Sequence, residues 1–175
     1  GGGCANFTND FSNGFNTIVG GKGNGMTISN AACTANFIGG GQSNCLCGQV
    51  GWATIAGGYQ NDICINSGYA TIGGGCDNVL KQSNGGTING GQCNKIGASA
   101  QSDRATISGG FRNKLGNQYG SAQSTTIAGG DCNEIKGSVS STCVTYSTIG
   151  GGCYNRINNY ESTIAGGKNN YVSGC

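Results

Sequence analysis

The chain has no proline and no histidine, a single methionine and a single tryptophan, and only 9% of its residues are charged. Each shortage closes off a class of explanation. Without histidine there is no imidazole base for a Ser-His or Cys-His nucleophile, and no His-containing metal set. The 7 acids and 9 bases leave a net charge of +2 with no basic run, which argues against a nucleic-acid partner. No apolar run approaches the roughly 18 residues of a membrane span, so no part of this segment is expected to insert in a bilayer. A helical apolar period is also missing, so amphipathic helices are not expected.

Glycine is abundant, with 37 residues, and it is phased. The unit Thr-Ile-x-Gly-Gly-x-x-Asn-x-apolar first stands whole at Thr17-Ile18-Val19-Gly20-Gly21-Lys22-Gly23-Asn24-Gly25-Met26 and recurs to the end of the chain. Its isoleucines are Ile18, Ile38, Ile55, Ile72, Ile88, Ile107, Ile127, Ile149 and Ile164. With Ile as position zero, glycines hold +2 and +3, and a further copy lacking its Ile opens at Gly1-Gly2-Gly3. Asparagine holds +6: Asn6, Asn24, Asn44, Asn61, Asn78, Asn94, Asn113, Asn133, Asn155 and Asn170. An apolar residue holds +8 from Met26 to Val172. Strict self-similarity at such a period is the signature of a solenoid. The expectation is an all-β, parallel β-solenoid of about ten turns, 15–22 residues each, forming one repeat domain over 1–175 that is a segment of a longer fibre.

Within a turn, alternation places Ile inward on a first short strand and both Asn and the +8 residue inward on a second. The Gly-Gly pair between them is the corner, where positive φ carries no steric cost. Turns lengthen only between the +8 residue and the next Thr-Ile, as in 136–147, so the insertions are expected on one edge. Ten inward asparagines need partners, since a buried amide left alone costs about 1–3 kcal/mol. Stacked at about 4.8 Å, they can bond along the stack or to the corner backbone. A structural Asn ladder follows from the pattern.

The recurring Thr-Ile-x-Gly-Gly-x-x-Asn, clearest at Tyr69-Ala70-Thr71-Ile72-Gly73-Gly74-Gly75 and Tyr146-Ser147-Thr148-Ile149-Gly150-Gly151-Gly152, resembles the head repeats of trimeric autotransporter adhesins, the YadA-like head. Similar repeats occur in fibre-like proteins of phages and large viruses. The resemblance covers the whole chain and implies a left-handed β-roll, a homotrimer, and attachment to a host glycan or surface receptor. The 11 cysteines and the variable loops depart from the bacterial pattern and leave a phage or viral fibre open.

Catalytic and cofactor chemistry find little support. Asp131 and Glu134 are close, but no acid on an adjacent turn shares their offset, so the chain is not expected to be an enzyme. Cys45-Leu46-Cys47 has no second pair at metal-site spacing, and no metal or other cofactor is expected. Disulfides fit better. Cys47 and Cys64 both hold +9 on neighbouring turns, inside disulfide reach. Cys76 with Cys93, and Cys132 with Cys153, are candidate pairs one position out of register. This cysteine usage favours an oxidising location: extracellular, at a cell or virion surface.

Three readings of function remain. The first is an adhesive surface fibre, with Trp52 and Tyr69 as its ligand edge: both sit at −3 on neighbouring turns, where their rings should stack. The second is an architectural shaft with no ligand. The third is an ice-binding solenoid, suggested by the Thr file at −1 but lacking a second Thr rank at +1. The small side chains at −1 and +1, over two inward apolar residues per turn, point to burial of this face in a trimer.

Overall fold

The computed structural model describes residues 2–10, 14–29, 35–97, 102–116, 122–136 and 144–174. The insert at 137–143 and Cys33, Cys143 and Cys175 lie outside them. Among the described residues there is no helix, and the strands pair in parallel with the strands one turn before and after. One sheet holds ten strands, from Phe7–Asp10 to Tyr171–Val172, and another holds nine, from Thr17–Ile18 to Thr163–Ile164. Like positions face like positions: Ile18, Ile38 and Ile55 are in register, as are Met26, Leu46 and Ile63. The chain is a parallel β-solenoid. A third file of pairing, not expected from the sequence, runs through +4 as single bridges from Cys4↔Lys22 to Cys153↔Lys168. A short extra pair, Ala122–Gln123 with Val144–Thr145, lies on the loop edge.

The interior is fuller than two apolar residues per turn. Ile38 through Ile149 and Met26 through Ile157 are wholly buried at positions 0 and +8. Small residues complete the fill: Ala53, Ala70 and Ala105 at −2, and Val50 and Ala122 at −5. Ser67, Ser83 and Ser102 share the −5 file; Ser67 Oγ donates to the Cys64 carbonyl at 2.8 Å, Ser83 Oγ donates to the Ser102 carbonyl of the next turn, and Ser102 Oγ accepts from the Ala122 N–H at 3.2 Å. Asn36 at −2 joins Asn16 and the Val50 carbonyl in a short second amide stack. From Ile38 to Ile149 the repeat isoleucines are therefore out of water within one chain, and their burial does not require a trimer.

The asparagines are the connectors. Asn94 is representative: its Nδ2 donates to the Gly90 carbonyl of its own corner at 3.0 Å, to the Gly110 carbonyl of the next turn at 3.0 Å, and to Asn78 Oδ1 of the preceding turn at 3.1 Å. Its Oδ1 accepts from the Asn113 backbone N–H at 3.0 Å. Asn24, Asn44, Asn61, Asn78, Asn113, Asn133 and Asn155 are likewise buried and bonded to both corners. At the two ends, Asn6 donates to the Gly21 carbonyl, and Asn170, exposed, donates to Asn155 Oδ1 and the Gly166 carbonyl.

This arrangement separates the roles of the two glycines. At +3, a Cβ on Gly58 would fall inside the Gly75 carbonyl oxygen of the next turn and 2.6 Å from Asn61 Nδ2, and the backbone is left-handed at φ 95°. At +2, a Cβ on Gly57 would meet nothing within 4 Å. The corner also requires left-handed backbone at +5, where Ser43, Gln60, Asp77, Cys93, Arg112, Cys132 and Tyr154 all have φ between 53° and 58°. There the N–H reaches back to the preceding turn, as from Gln60 to the Gln42 carbonyl at 3.0 Å.

Two outcomes follow for urea unfolding. Gly57→Ala should change stability by less than about 0.5 kcal/mol, whereas Gly58→Ala should cost more than about 3 kcal/mol through backbone collision and strain. Asn94→Ala, which strands the Gly90 carbonyl and the Asn113 N–H inside the protein, should cost about 3 kcal/mol or more, while Asn170→Ala at the exposed end should cost under about 1 kcal/mol.

Candidate functional site

Three features outside the core carry chemistry: the cysteines, the aromatic edge and a furrow between two outward files. Cys47 and Cys64 are joined by a disulfide, with Cα atoms 4.7 Å apart on adjoining rungs. That bond takes up Cys47, while Cys45 keeps a free thiol in register with Asp62. The expected pairs Cys76–Cys93 and Cys132–Cys153 are not formed, and all four thiols are free. The reason is register: the parallel bridge partner of Cys76 is Gln92 and that of Cys153 is Asp131, while Cys93 and Cys132 sit one residue on, in the left-handed corner. Burial, with a hydrogen bond and negative charge from Asp77 and the neighbouring Cys93, pushes the Cys76 thiol above its usual range. Cys132 is pushed up by burial and by Asp131.

On the loop edge, Trp52 and Tyr69 stack as expected, with ring centroids 5.2 Å apart and planes 4° from parallel. Trp52 is 49% exposed and Tyr69 65%, and both have left-handed backbone, φ 54° and 56°. The same position holds Gly85 at φ 67° three turns after Ala35, so glycine would meet the corner's demand without the strain that a bulky side chain brings. Of the polar residues in these turns, Gln49 and Asn66 are exposed and open to a ligand. Asn61 and Ser67 are buried and engaged in the ladder and the −5 file, so they are not available to it.

The third feature was not read from the sequence. The outward residues at +5 and +7, with the ladder asparagine turned inward between them, wall a furrow of about 710 Å³ that crosses six turns from Gln60 to Arg156. Its charge is segregated. Asp62 and Asp77 lie at one end, Lys95, Arg112 and Lys114 in the middle, and Glu134 and Arg156 beyond. Glu134 is bound to Arg156 at 2.8 Å and to Lys136 at 3.8 Å. Among the described residues no carboxylate lies within 4.0 Å of the three central cations. Lys95 and Lys114 are directly in register on adjacent strands, and Arg112 stands over the Phe111 ring at 4.6 Å. The alternating ladder at +7 was visible as a pattern in the sequence. Its pairing with +5 was not, because the left-handed corner that brings the two files to one furrow leaves no mark in residue type.

Burial raises the Asp62 carboxyl above its ordinary pKa, opposed by Lys81 and reinforced by Asp77. A carboxylate with a raised folded pKa favours the folded state in its protonated form, and that contribution is lost as pH rises through the folded pKa. Asp62→Asn should therefore melt above the parent at pH ~7 and converge with it near pH ~3, where both side chains are neutral. A constant gap at both pH values would assign the effect to packing instead.

No protein-family model matches this chain, and no curated protein matches it in sequence.

Proposed function

We propose that this chain is a rigid segment of a surface fibre that attaches to glycan through its aromatic edge, and that it works by binding rather than catalysis. The observation that carries the reading is the stacked, exposed Trp52–Tyr69 pair held on a parallel solenoid. Apolar ring faces backed by a stiff scaffold suit the faces of sugar rings, while Gln49 and Asn66 beside them supply hydrogen bonds.

Several further properties belong to the same proposal. The Thr-Ile-x-Gly-Gly-x-x-Asn repeat, with its resemblance to YadA-like heads, supports a homotrimer at a cell or virion surface. The outward threonines from Thr54 to Thr148, flanked at +1 by Gly, Ala and Ser except at Asn89, offer a flat face on which a second copy can pack closely. The Cys47–Cys64 disulfide favours an oxidising, extracellular setting. The uniform ladder also favours a second reading, a shaft whose whole task is length and stiffness.

The double variant Trp52→Ala/Tyr69→Ala separates the two. On a glycan array it should lose at least about tenfold in apparent affinity, equivalent to about 1.4 kcal/mol, with an unchanged β-type far-UV spectrum. Equal binding by the folded double variant, or no glycan binding by the parent, would leave the shaft reading standing.

A further inference from the structure

We propose that the furrow between the +5 and +7 files is a second binding site, for an acidic oligosaccharide: Lys95, Arg112 and Lys114 hold its carboxylate or sulfate, and the ring of Tyr154 carries a neighbouring sugar. The site lies on different files from Trp52 and Tyr69 and stands independently of them.

The electrostatics come first. Like charges directly opposite on adjacent strands are destabilising. Lys95 and Lys114 nevertheless face each other in register, with Arg112 on the same turn as Lys114. All three side chains are exposed, and no carboxylate of the described residues comes within 4.0 Å to offset them. Glu134, which is in register with Lys114, is drawn instead to Arg156 and Lys136. The cations are thus a cluster of unspent charge inside a concave furrow, where an anion accepts hydrogen bonds from several donors at once. Arg112 is oriented by the Phe111 ring beneath it at 4.6 Å, which fixes its guanidinium and lowers the ordering cost of binding.

The charge pattern also selects the kind of anion. The positive stretch is only two turns long, about 5 Å along the axis. On one side a ligand meets Asp77 and Asp62, and on the other it meets Glu134. A uniformly charged polymer would run onto these carboxylates in either direction. A chain with one anionic group among neutral, hydroxyl-bearing units would not. Tyr154, 56% exposed in the same furrow, lies two turns beyond Arg112, about 10 Å on. Its ring supplies the apolar face on which a neutral sugar stacks, with the Cys132 thiol and the paired Glu134 between it and the cations.

The test is titration of fluorescently labelled sialyllactose, followed by anisotropy, against lactose as the neutral control and single-stranded oligothymidylate as the uniform polyanion. Sialyllactose should bind and weaken as salt is added, and lactose should bind at least about tenfold more weakly. Lys95→Gln/Arg112→Gln/Lys114→Gln should abolish the difference between the two sugars without lowering the melting temperature, since all three residues are exposed and relief of like-charge repulsion favours the fold. Tyr154→Ala should weaken sialyllactose and lactose alike. Trp52→Ala/Tyr69→Ala should leave the sialyllactose-over-lactose preference intact, so that failure of the aromatic edge and failure of this furrow are read separately. Equal binding of both sugars by the parent, retention of the preference by the triple variant, or tighter binding of the oligothymidylate than of sialyllactose would each overturn the proposal.

Discussion

One hydrogen-bonding unit governs this molecule: an asparagine amide tied at once to its own glycine corner, to the corner of the next turn and to the asparagine of the turn before. Two hydrogens on Nδ2 serve three acceptors, so corner and stack are locked by the same group. The unit works only if consecutive corners approach closely. That approach is what forbids a side chain at +3, while at +2 a Cβ on Gly57, Gly90 or Gly166 would meet nothing within 4 Å and glycine answers instead to the backbone, φ 148–153° at Gly74, Gly109, Gly129 and Gly151. The rest of the turn is free to vary as long as it returns to the next Thr-Ile. Chain length changes between turns without disturbing the register of either long sheet.

Much of this was legible because it is periodic. Position 0 and position +8 are apolar in nearly every turn, and alternation then fixes which residues go inside. The invariance of Asn at a buried offset announces a repeated amide contact before any partner is known. What was hidden is what varies. The +5 position holds Ser, Gln, Asp, Cys, Arg and Tyr, yet its backbone is left-handed throughout. Here the ladder overrides the preference of the individual residue, so residue type carries no signal. The bridge file at +4 was hidden for the same reason. The small inward residues at −2 and −5 were hidden because Ala, Ser and Thr are equally at home on an outer face.

Register decided the cysteines. A difference of one position separated a formed disulfide at Cys47 and Cys64 from two candidate pairs that stay as thiols. In an ordinary globular fold, a one-residue offset in sequence says little about distance. In a solenoid it moves a residue from an extended bridge to a turned corner. The Trp52–Tyr69 stack follows the same logic in reverse: equal offsets on adjoining turns bring two rings together at nearly the rung spacing. Such a scaffold separates tasks cleanly. Its inner files hold the fold, and its outer files are free to compose surfaces whose spacing along the axis is already set.

The same ladder bears on how the chain reaches this state. Parallel sheets usually require distant segments to meet, and they fold slowly for that reason. Here each strand of the two long sheets pairs only with the strands one repeat away, so no long sheet contact spans more than a single turn of chain. A finished turn presents the incoming one with partners already in place: an asparagine oxygen that accepts from the next asparagine's backbone N–H, and an Nδ2 that donates to the carbonyl of the next corner. Growth of the structure is then templated and local, closer to closing a zipper than to searching for a fold, and its rate should depend on the turn rather than on the number of turns.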